Sequence, residues 1–282
     1  MLRRVMVCLD ERPSGQMSLD AALRFAAGYG ASLTGLVIRA PAMVPGAMAA
    51  DLFAPGSMSP GASSTIDRML REHEACEDRR EERLAHAFRE ACSARGLTCA
   101  WLAVTGDPGR EIARAARAFD MVVIGRGEKP GDALGSVAST LVRQLACPVM
   151  VVTRELPPVD RMGVCYDGSH GADRALALAA DIATHWKGGE IAVVLMGVSS
   201  GDDTVREALN DAERYLDAYH VAHRTHLLEG PAAPLLAETA QHERVDLLLM
   251  GACGHSRVRE LLLGSTTQQV IDLWKGALLL WR

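Results

Sequence analysis

The sequence predicts an α/β protein built from two tandem copies of a domain with a five-stranded parallel sheet. Three observations support this prediction. The length of 282 residues suits two domains. Short, continuously apolar segments alternate with amphipathic helical segments, which is typical of a parallel sheet covered on both faces. A set of short motifs also occurs twice in the same order.

The repeated motifs place the two copies in register. Residues 6–10 (MVCLD) recur as 163–167 (GVCYD), and 119–125 (FDMVVIG) recur as 245–251 (VDLLLMG). Five matches in one order indicate a tandem duplication. The other three pairs are 20–24 with 173–177, 105–108 with 229–231, and 134–136 with 263–265.

The duplication divides the chain into a first half at 1–155, a linker at 156–160 and a second half at 161–282. The linker contains Pro157 and Pro158, whose rings are poorly suited to continuing a strand or a helix. Each half is expected to be one domain with a five-stranded parallel sheet.

Strands and helices alternate in the same order in each half, judged by hydrophobic periodicity. Right-handed crossovers would place the ligand crevice of each half at the carboxyl ends of its strands. In the first half, strands are predicted near 3–9, 32–38, 98–105, 120–125 and 148–153, and helices near 16–29, 65–95, 108–118 and 136–146. In the second half, strands are predicted near 161–166, 190–197, 223–229, 245–250 and 276–281, and helices near 171–185, 202–220, 232–243 and 265–274.

The first half carries an insertion. The interval from Asp10 to Gly106 is about half as long again as its counterpart from Asp167 to Gly230. The surplus lies at 40–64, which is rich in Pro, Gly, Ala and Met, and in a longer following helix. Long loops of this kind are often lids or partner surfaces. We expect it to pack against the other half or a dimer mate, with disorder as the alternative.

Composition excludes several classes of partner. Apolar residues make up 49% and charged residues 23%, and the net charge of −5 lacks the basic character of a nucleic-acid-binding domain. No uninterrupted apolar stretch is long enough for a membrane span. The apolar run Val5 to Leu9 ends at Asp10, too early for a signal peptide, and is typical of a buried first strand.

The cysteines indicate a reducing environment. Their number is odd and none form a C-x2-C pair, which favours free thiols and a cytoplasmic location over a disulfide framework. The seven are Cys8, Cys76, Cys92, Cys99, Cys147, Cys165 and Cys253.

A glycine-rich segment in the second half has the properties of a phosphate-binding loop. It follows an apolar strand, contains Gly251, Gly254 and Gly264, and leads into a helix that begins near Ser265 and Thr266. Glycines let backbone N–H groups approach an anion, and a helix N-terminus presents unpaired N–H donors and a partial positive charge. The alternative is an ordinary strand-to-helix connection in which Ser265 is the N-cap.

The spacing of these residues matches G-x2-G-x9-G-[ST], and on this motif the chain resembles the universal stress protein family. The resemblance covers essentially the whole chain as two copies. It implies domains of the adenine-nucleotide α-hydrolase-like, or Rossmann-like, fold and a stress-response or regulatory role. It also implies that ATP, with or without Mg²⁺, binds mainly in the second half.

The same resemblance implies individual roles for residues of the second half. The acid after its first strand, Asp167, matches a contact on the adenine side, with Cys165 and Tyr166 before it. Met196 matches a residue that lines the adenine pocket. The remaining matches are Met250 and Gly251 on the ribose side and Gly254, Gly264, Ser265 and Thr266 on the phosphate side. From their chemistry alone, Arg257 and His255 would add positive charge near the phosphates.

The equivalent loop of the first half departs from the motif. Gly125 and Gly135 lie closer together than Gly251 and Gly264, and the second glycine is replaced or displaced. Glu128 and Asp132 add negative charge that would repel a triphosphate, although Lys129 and Arg126 would offset part of it. We therefore predict that this loop is degenerate and that nucleotide binding belongs mainly to the second half.

Neither a metal site nor a catalytic site is predicted. His223 and His226 fall on opposite faces of a strand, and His73 with Cys76 fits an exposed helix face. No G-x-S-x-G or G-x4-G-K-[ST] motif occurs. The S-G-G-x-D-S loop of adenylating relatives is absent after either first strand. We expect a binding protein and not an enzyme, with slow incidental ATP hydrolysis at most.

The alternative reading is a nucleotide-free scaffold, or a stress protein that binds a small ligand or a partner. The resemblance also implies that the last strand pairs across a dimer. The expected partners are thus an adenine nucleotide and either a second copy of the chain or, as an intramolecular pseudo-dimer, the other half. Trp281 on that strand would lie at this interface or in a core.

Overall fold

The apolar segments form strands and the amphipathic segments form helices, as predicted. The computed structural model describes residues 2–42, 60–126, 136–199, 201, 203–252 and 264–282, with the backbone only at 60–64 and 136. The first half contains β1 (Arg4–Leu9), α1 (Pro13–Tyr29), β2 (Ser32–Arg39), α2 (Pro60–Ser93), β3 (Cys99–Thr105), α3 (Pro108–Ala116), β4 (Met121–Gly125), α4 (Ser136–Gln144) and β5 (Val149–Val152). The second half contains β6 (Arg161–Cys165), α5 (His170–His185), β7 (Ala192–Ser199), α6 (Thr204–Ala218), β8 (His223–Glu229), α7 (Ala232–His242), β9 (Leu247–Gly251), α8 (Ser265–Leu273) and β10 (Ala277–Trp281).

The ten strands form one continuous sheet in the order β3-β2-β1-β4-β5-β10-β9-β6-β7-β8. Neighbouring strands within each half are parallel, which confirms the predicted α/β class. At the centre, β5 and β10 are antiparallel, with Met150 opposite Leu279. The carboxyl ends of the two sets of strands therefore lie at opposite edges of the sheet.

Helices cover both faces of the sheet. The buried side chains of α1, α2, α5 and α6 belong to one apolar core, and those of α3, α4, α7 and α8 belong to the core on the other face. The proline-containing linker is not a solvent-exposed tether, because Leu156 is 1% exposed and Val159 is 3% exposed. Each half thus contributes to two cores that run across the whole molecule.

Several contacts join the halves beside the central strand pair. The indole Nε1 of Trp281 donates to the carbonyl oxygen of Ala146 at 2.8 Å, and the Thr153 hydroxyl donates to the carbonyl oxygen of Lys275 at 2.6 Å. On the face that carries α1 and α5, the Tyr29 hydroxyl donates to the carboxylate of Asp181. Trp281 therefore lies at the interface between the halves, and this pairing is intramolecular.

Two predictions about the insertion have different outcomes. The following helix is long, as expected, with 34 residues in α2. The proposed packing of the loop falls at 43–59, outside the described residues. In the part of the chain that the structure describes, none of the helices combines the length and the apolar character that a membrane crossing requires.

Candidate functional site

Three predicted site residues form an apolar row at the carboxyl edge of the second half. Cys165, at the end of β6, is in register with Met196 on β7 and with Met250 on β9. Residues in register on parallel strands share a face of the sheet. All three side chains are buried in the same core, at 8%, 0% and 4% exposure for Cys165, Met196 and Met250. The apolar row is therefore a continuous floor beneath the ends of these strands.

Asp167 lies immediately beyond the apolar row and is exposed. Its Oδ1 accepts the backbone N–H of Ser169 at 3.0 Å, and the hydroxyl of Ser169 accepts the N–H of Ala172 at 3.3 Å. Ser169 is thus the N-cap of α5, and the Asp167 carboxylate is held by a local turn. This arrangement fixes a negatively charged hydrogen-bond acceptor at the mouth of the crevice.

Tyr166 does not line the crevice beside Cys165. Its side chain packs in the core of the opposite face, and its hydroxyl donates to Oδ1 of Asp173 at 2.6 Å. Burial, together with this carboxylate, raises the pKa of the Tyr166 phenol. Its backbone N–H donates to the carbonyl oxygen of Met196 at 2.8 Å. The Tyr166 side chain therefore stabilises α5, and only its backbone is near the predicted site.

Gly251 has a packing role that the sequence reasoning missed. A Cβ at this position would lie 2.9 Å from the carbonyl carbon of Gly171 and 3.0 Å from the amide nitrogen of Ala172. Only a glycine lets the end of β9 approach the first turn of α5 this closely. The repeat contained a signal for this contact, because Gly125 is the equivalent glycine of the first half. A Cβ added at Gly125 would lie 2.7 Å from the Ser14 carbonyl oxygen.

Helix α8 begins one residue earlier than it would if Ser265 were the N-cap of an ordinary strand-to-helix connection. The N-cap of α8 is Gly264, with φ −58° and ψ 144°, so the interpretation of Ser265 as N-cap is wrong. Ser265 and Thr266 are exposed in the first turn, where backbone N–H groups lack intrahelical partners. Thr267, which the sequence reasoning passed over, donates its hydroxyl to the Gly251 carbonyl oxygen at 3.2 Å.

The start of α8 is thereby tied to the end of β9. The Gly264 N–H donates to the Ala252 carbonyl oxygen at 3.2 Å. Gly254, His255 and Arg257, which complete the predicted phosphate side, lie outside the described residues. The structure brings together the apolar row, the Asp167 turn and the N-terminus of α8 at one edge of the sheet, because β6, β7 and β9 are adjacent.

The thiols beside the two crevices are protonated at neutral pH. Burial, and secondarily the nearby Asp167, raises the pKa of Cys165 to about 12. Burial and Asp10 have the same effect on the pKa of Cys8, which also rises to about 12. Since the thiolate is the reactive form, both side chains act as inert apolar groups.

The raised thiol pKa values predict a loss of stability at alkaline pH. Well below the unfolded thiol pKa of about 8.5, the thiols are protonated in both states and do not make the free energy of unfolding depend on pH. As pH rises toward 12, the unfolded chain releases protons that folded Cys165 retains, so the free energy of unfolding falls. Urea denaturation at several pH values between 8 and 10.5 should show a shallower decline for Cys165→Ala than for the parent protein. Cys76→Ala, which removes an exposed thiol, is the control and should leave the slope unchanged. An unchanged slope in Cys165→Ala would contradict the assignment.

The histidines considered for a metal site have other partners. His226 Nε2 lies 3.1 Å from the buried carboxylate of Glu243, and His73 Nε2 lies 3.0 Å from the Ala40 carbonyl oxygen. Among the described residues, no group of three or more His, Cys, Asp or Glu side chains is placed to hold a metal ion.

Comparison with known proteins assigns the chain to a family. The pattern of the universal stress protein family matches the chain twice, at residues 1–153 and 158–280. The chain belongs to the universal stress protein family. The match supports the duplication read from the sequence, while the domain bounds of 1–155 and 161–282 stay a prediction.

Individual relatives agree with this assignment. Universal stress protein Slr1230 of Synechocystis is 31% identical over 163 residues, which is 54% of this chain and 54% of the relative. Universal stress protein MJ0531 of Methanocaldococcus jannaschii is 33% identical over 66 residues, or 23% of this chain and 39% of the relative. The matched segments thus span about half or less of these relatives.

The fold also has a counterpart among solved structures. A universal stress protein from Archaeoglobus fulgidus superposes with a TM-score of 0.74 at 20% identity, covering 99% of this chain and 96% of that one. At this level of identity the similarity concerns the fold. Because 99% of this chain is covered, the similarity extends over both of its halves.

Proposed function

We propose that this universal stress protein is an adenine-nucleotide-binding regulatory protein that holds ATP in the crevice of its second half. One observation carries the proposal. The exposed N-terminus of α8, with the hydroxyls of Ser265 and Thr266, opens at the same sheet edge as the apolar row and Asp167. An apolar surface can pack against a nucleobase, a carboxylate can accept a hydrogen bond from a polar group beside the base, and a helix N-terminus can bind phosphate. The remaining contacts would come from Gly254 and the rest of the predicted motif.

The mechanism that we propose is binding and not turnover. Phosphate oxygens would accept hydrogen bonds from the first turn of α8, whose start is tied to β9 through Ala252 and Gly251. Nucleotide would thereby link the end of β9 to the start of α8, and a partner protein would sense that link. A cytoplasmic location, where ATP is present, belongs to the same proposal. Hydrogen exchange of residues 251–268 that does not change on addition of ATP would refute this mechanism.

Calorimetric titration of ATP tests the proposed site. The parent protein should bind one equivalent, and Gly264→Val should show no measurable binding because its side chain would crowd the phosphates. The φ of −58° at Gly264 is accessible to valine, so this variant is expected to fold. Mg²⁺ should be tested in parallel.

The duplication supplies a matched control pair. Asp10 and Asp167 occupy equivalent positions after β1 and β6. Asp167→Ala should weaken ATP binding by about tenfold or more, as expected for the loss of a charged hydrogen-bond acceptor. Asp10→Ala should leave the affinity unchanged. Equal losses in both variants, or a stoichiometry of two, would overturn the assignment to the second half. Absence of binding by nucleotide-free parent protein would favour the scaffold alternative.

A further inference from the structure

The crevice of the first half contains a defined cavity of about 750 Å³. It lies at the carboxyl ends of β1, β2 and β4, at the edge of the sheet opposite to the second-half crevice. Its volume falls within the range of small-molecule sites in proteins. None of the described residues of the proposed ATP site lines it.

The floor of this cavity is aliphatic. It is formed by strand residues Leu36, Ile38 and Ile124 and by helix residues Ile112 and Val137. Leu36 is the counterpart of Met196 in the second half, because Leu36 is in register with Cys8 as Met196 is with Cys165. The floor therefore continues the core of this face outward to the cavity.

The arginines that line the cavity are already paired. Each has a carboxylate within 4 Å among the described residues. The distances are 3.8 Å for Arg12 to Asp10, 2.5 Å for Arg39 to Asp78, 3.0 Å for Arg80 to Glu77, and 3.8 Å for Arg126 to Asp272.

The acids that line the cavity are paired as well. Asp10 and Glu77 take part in the pairs just described, and Glu11 lies 2.6 Å from Arg83. Among the residues that the structure describes, a charged ligand would therefore meet no unpaired counter-charge in exchange for the hydration that it loses on entry.

The polar backbone at the end of β2 is also occupied. Glu77 accepts the N–H of Ala40 at 3.2 Å, and Arg80 donates to the carbonyl oxygen of Ile38 at 3.3 Å. His73 Nε2 lies 3.0 Å from the carbonyl oxygen of Ala40. The edge of a nucleobase would find these backbone groups already satisfied by α2.

The contacts of His73 and Glu77 come from a part of α2 that only the first half has. Helix α2 has 34 residues, whereas its counterpart α6 has 15. The two helices end five to six residues before equivalent strands, so the extra turns lie at the N-terminal end of α2. His73 and Glu77 belong to these extra turns. The insertion thus changes the chemistry of this crevice relative to the second half.

We propose that the first-half crevice is a separate binding site for a small, uncharged and mainly apolar molecule. The aliphatic floor supplies the burial of apolar surface, and the described charged residues of the rim are already paired with one another or with their neighbours. The two halves then bind different classes of ligand, with ATP at one edge of the sheet and a neutral apolar molecule at the other.

A neutral fluorescent probe tests this site. N-phenyl-1-naphthylamine carries no charge at pH 7.5 and becomes brighter in apolar surroundings. It should bind with one equivalent to the full chain, and saturating ATP should not displace it. Ile38→Trp, which fills the cavity from the strand, should weaken probe binding by about tenfold or more. Val198→Trp, at the equivalent position of the second half, is the matched control and should leave probe binding unchanged.

Val137→Phe, which fills the same cavity from α4, gives an independent test if Ile38→Trp fails to fold. Circular dichroism and thermal unfolding establish that each variant is folded. Unchanged probe affinity in a folded cavity-filling variant would overturn the proposal. Displacement of the probe by ATP would also overturn it, since that result would place a charged ligand in this cavity. If Asp167→Ala loses ATP binding but still binds the probe, the result concerns the second half and leaves the proposed first-half site intact.

Discussion

Gly251→Ala is expected to lower the free energy of unfolding by about 3 kcal/mol, at the upper end of the usual cost of overpacking. The added Cβ would lie 2.9 Å from the carbonyl carbon of Gly171 and 3.0 Å from the amide nitrogen of Ala172. Both atoms belong to the backbone of the first turn of α5. Relief of the clash therefore requires that the helix move away from β9. Urea denaturation followed by tryptophan fluorescence measures the effect.

Gly109→Ala is the matched control. Its Cβ would meet the nearest atoms, Asp107 Oδ1 and Thr140 Cγ2, at 3.4 Å. Gly109 lies in the first turn of α3, where alanine loses less conformational entropy on folding. We expect a change within about 0.5 kcal/mol. Equal stability of the two variants would contradict the packing role of Gly251.

Gly251→Ala also separates packing from ligand contact. The family resemblance assigns Gly251 to the ribose side of a nucleotide, whereas its contacts in the structure are with α5. A folded variant with parent stability but reduced ATP affinity would support the ligand role alone. Reduced stability with ATP affinity retained would show that packing is the reason for glycine at this position.

The fold could be predicted from the sequence because strand burial is encoded locally. The run at 247–250 is apolar throughout, since β9 is covered on both faces, and the strand predicted near 245–250 agrees with the observed Leu247–Gly251 within two residues. The helix predicted at 265–274 is observed at Ser265–Leu273. The order of the five repeated motifs identified the duplication, and each half forms the expected parallel set of strands.

The features that could not be predicted depend on contacts between distant segments. The approach of Gly251 to Gly171 joins the end of one strand to a helix 80 residues earlier, and no local pattern encodes it. Tyr166 was grouped with Cys165 by position, although consecutive residues point to opposite faces. The helix extension that contacts the end of β2 was visible only as extra length, because its contacts are made across 33 and 37 residues.

The second large effect is expected at the centre of the sheet. Leu279→Asp should destabilise the protein by about 5 kcal/mol, from loss of a buried leucine and burial of a carboxyl group without a partner. Leu279 is 0% exposed and lies opposite Met150 in the strand pair that joins the halves. A loss of this size is comparable with the whole stability of many domains. Urea denaturation at 25 °C measures it.

The exposed Leu273 provides the control, since it is 42% exposed at the end of α8. Leu273→Asp should cost at most about 1 kcal/mol, mainly because an acid is unfavourable at a helix C-terminus.

The pH dependence of the destabilisation shows whether the carboxyl introduced at Leu279 is buried or reaches the surface. Burial raises the pKa of the introduced group above its unfolded value, so Leu279→Asp should be less destabilised at pH 5 than at pH 8. Equal destabilisation at both pH values would mean that the carboxyl reaches water, and hence that β5 and β10 separate in the variant.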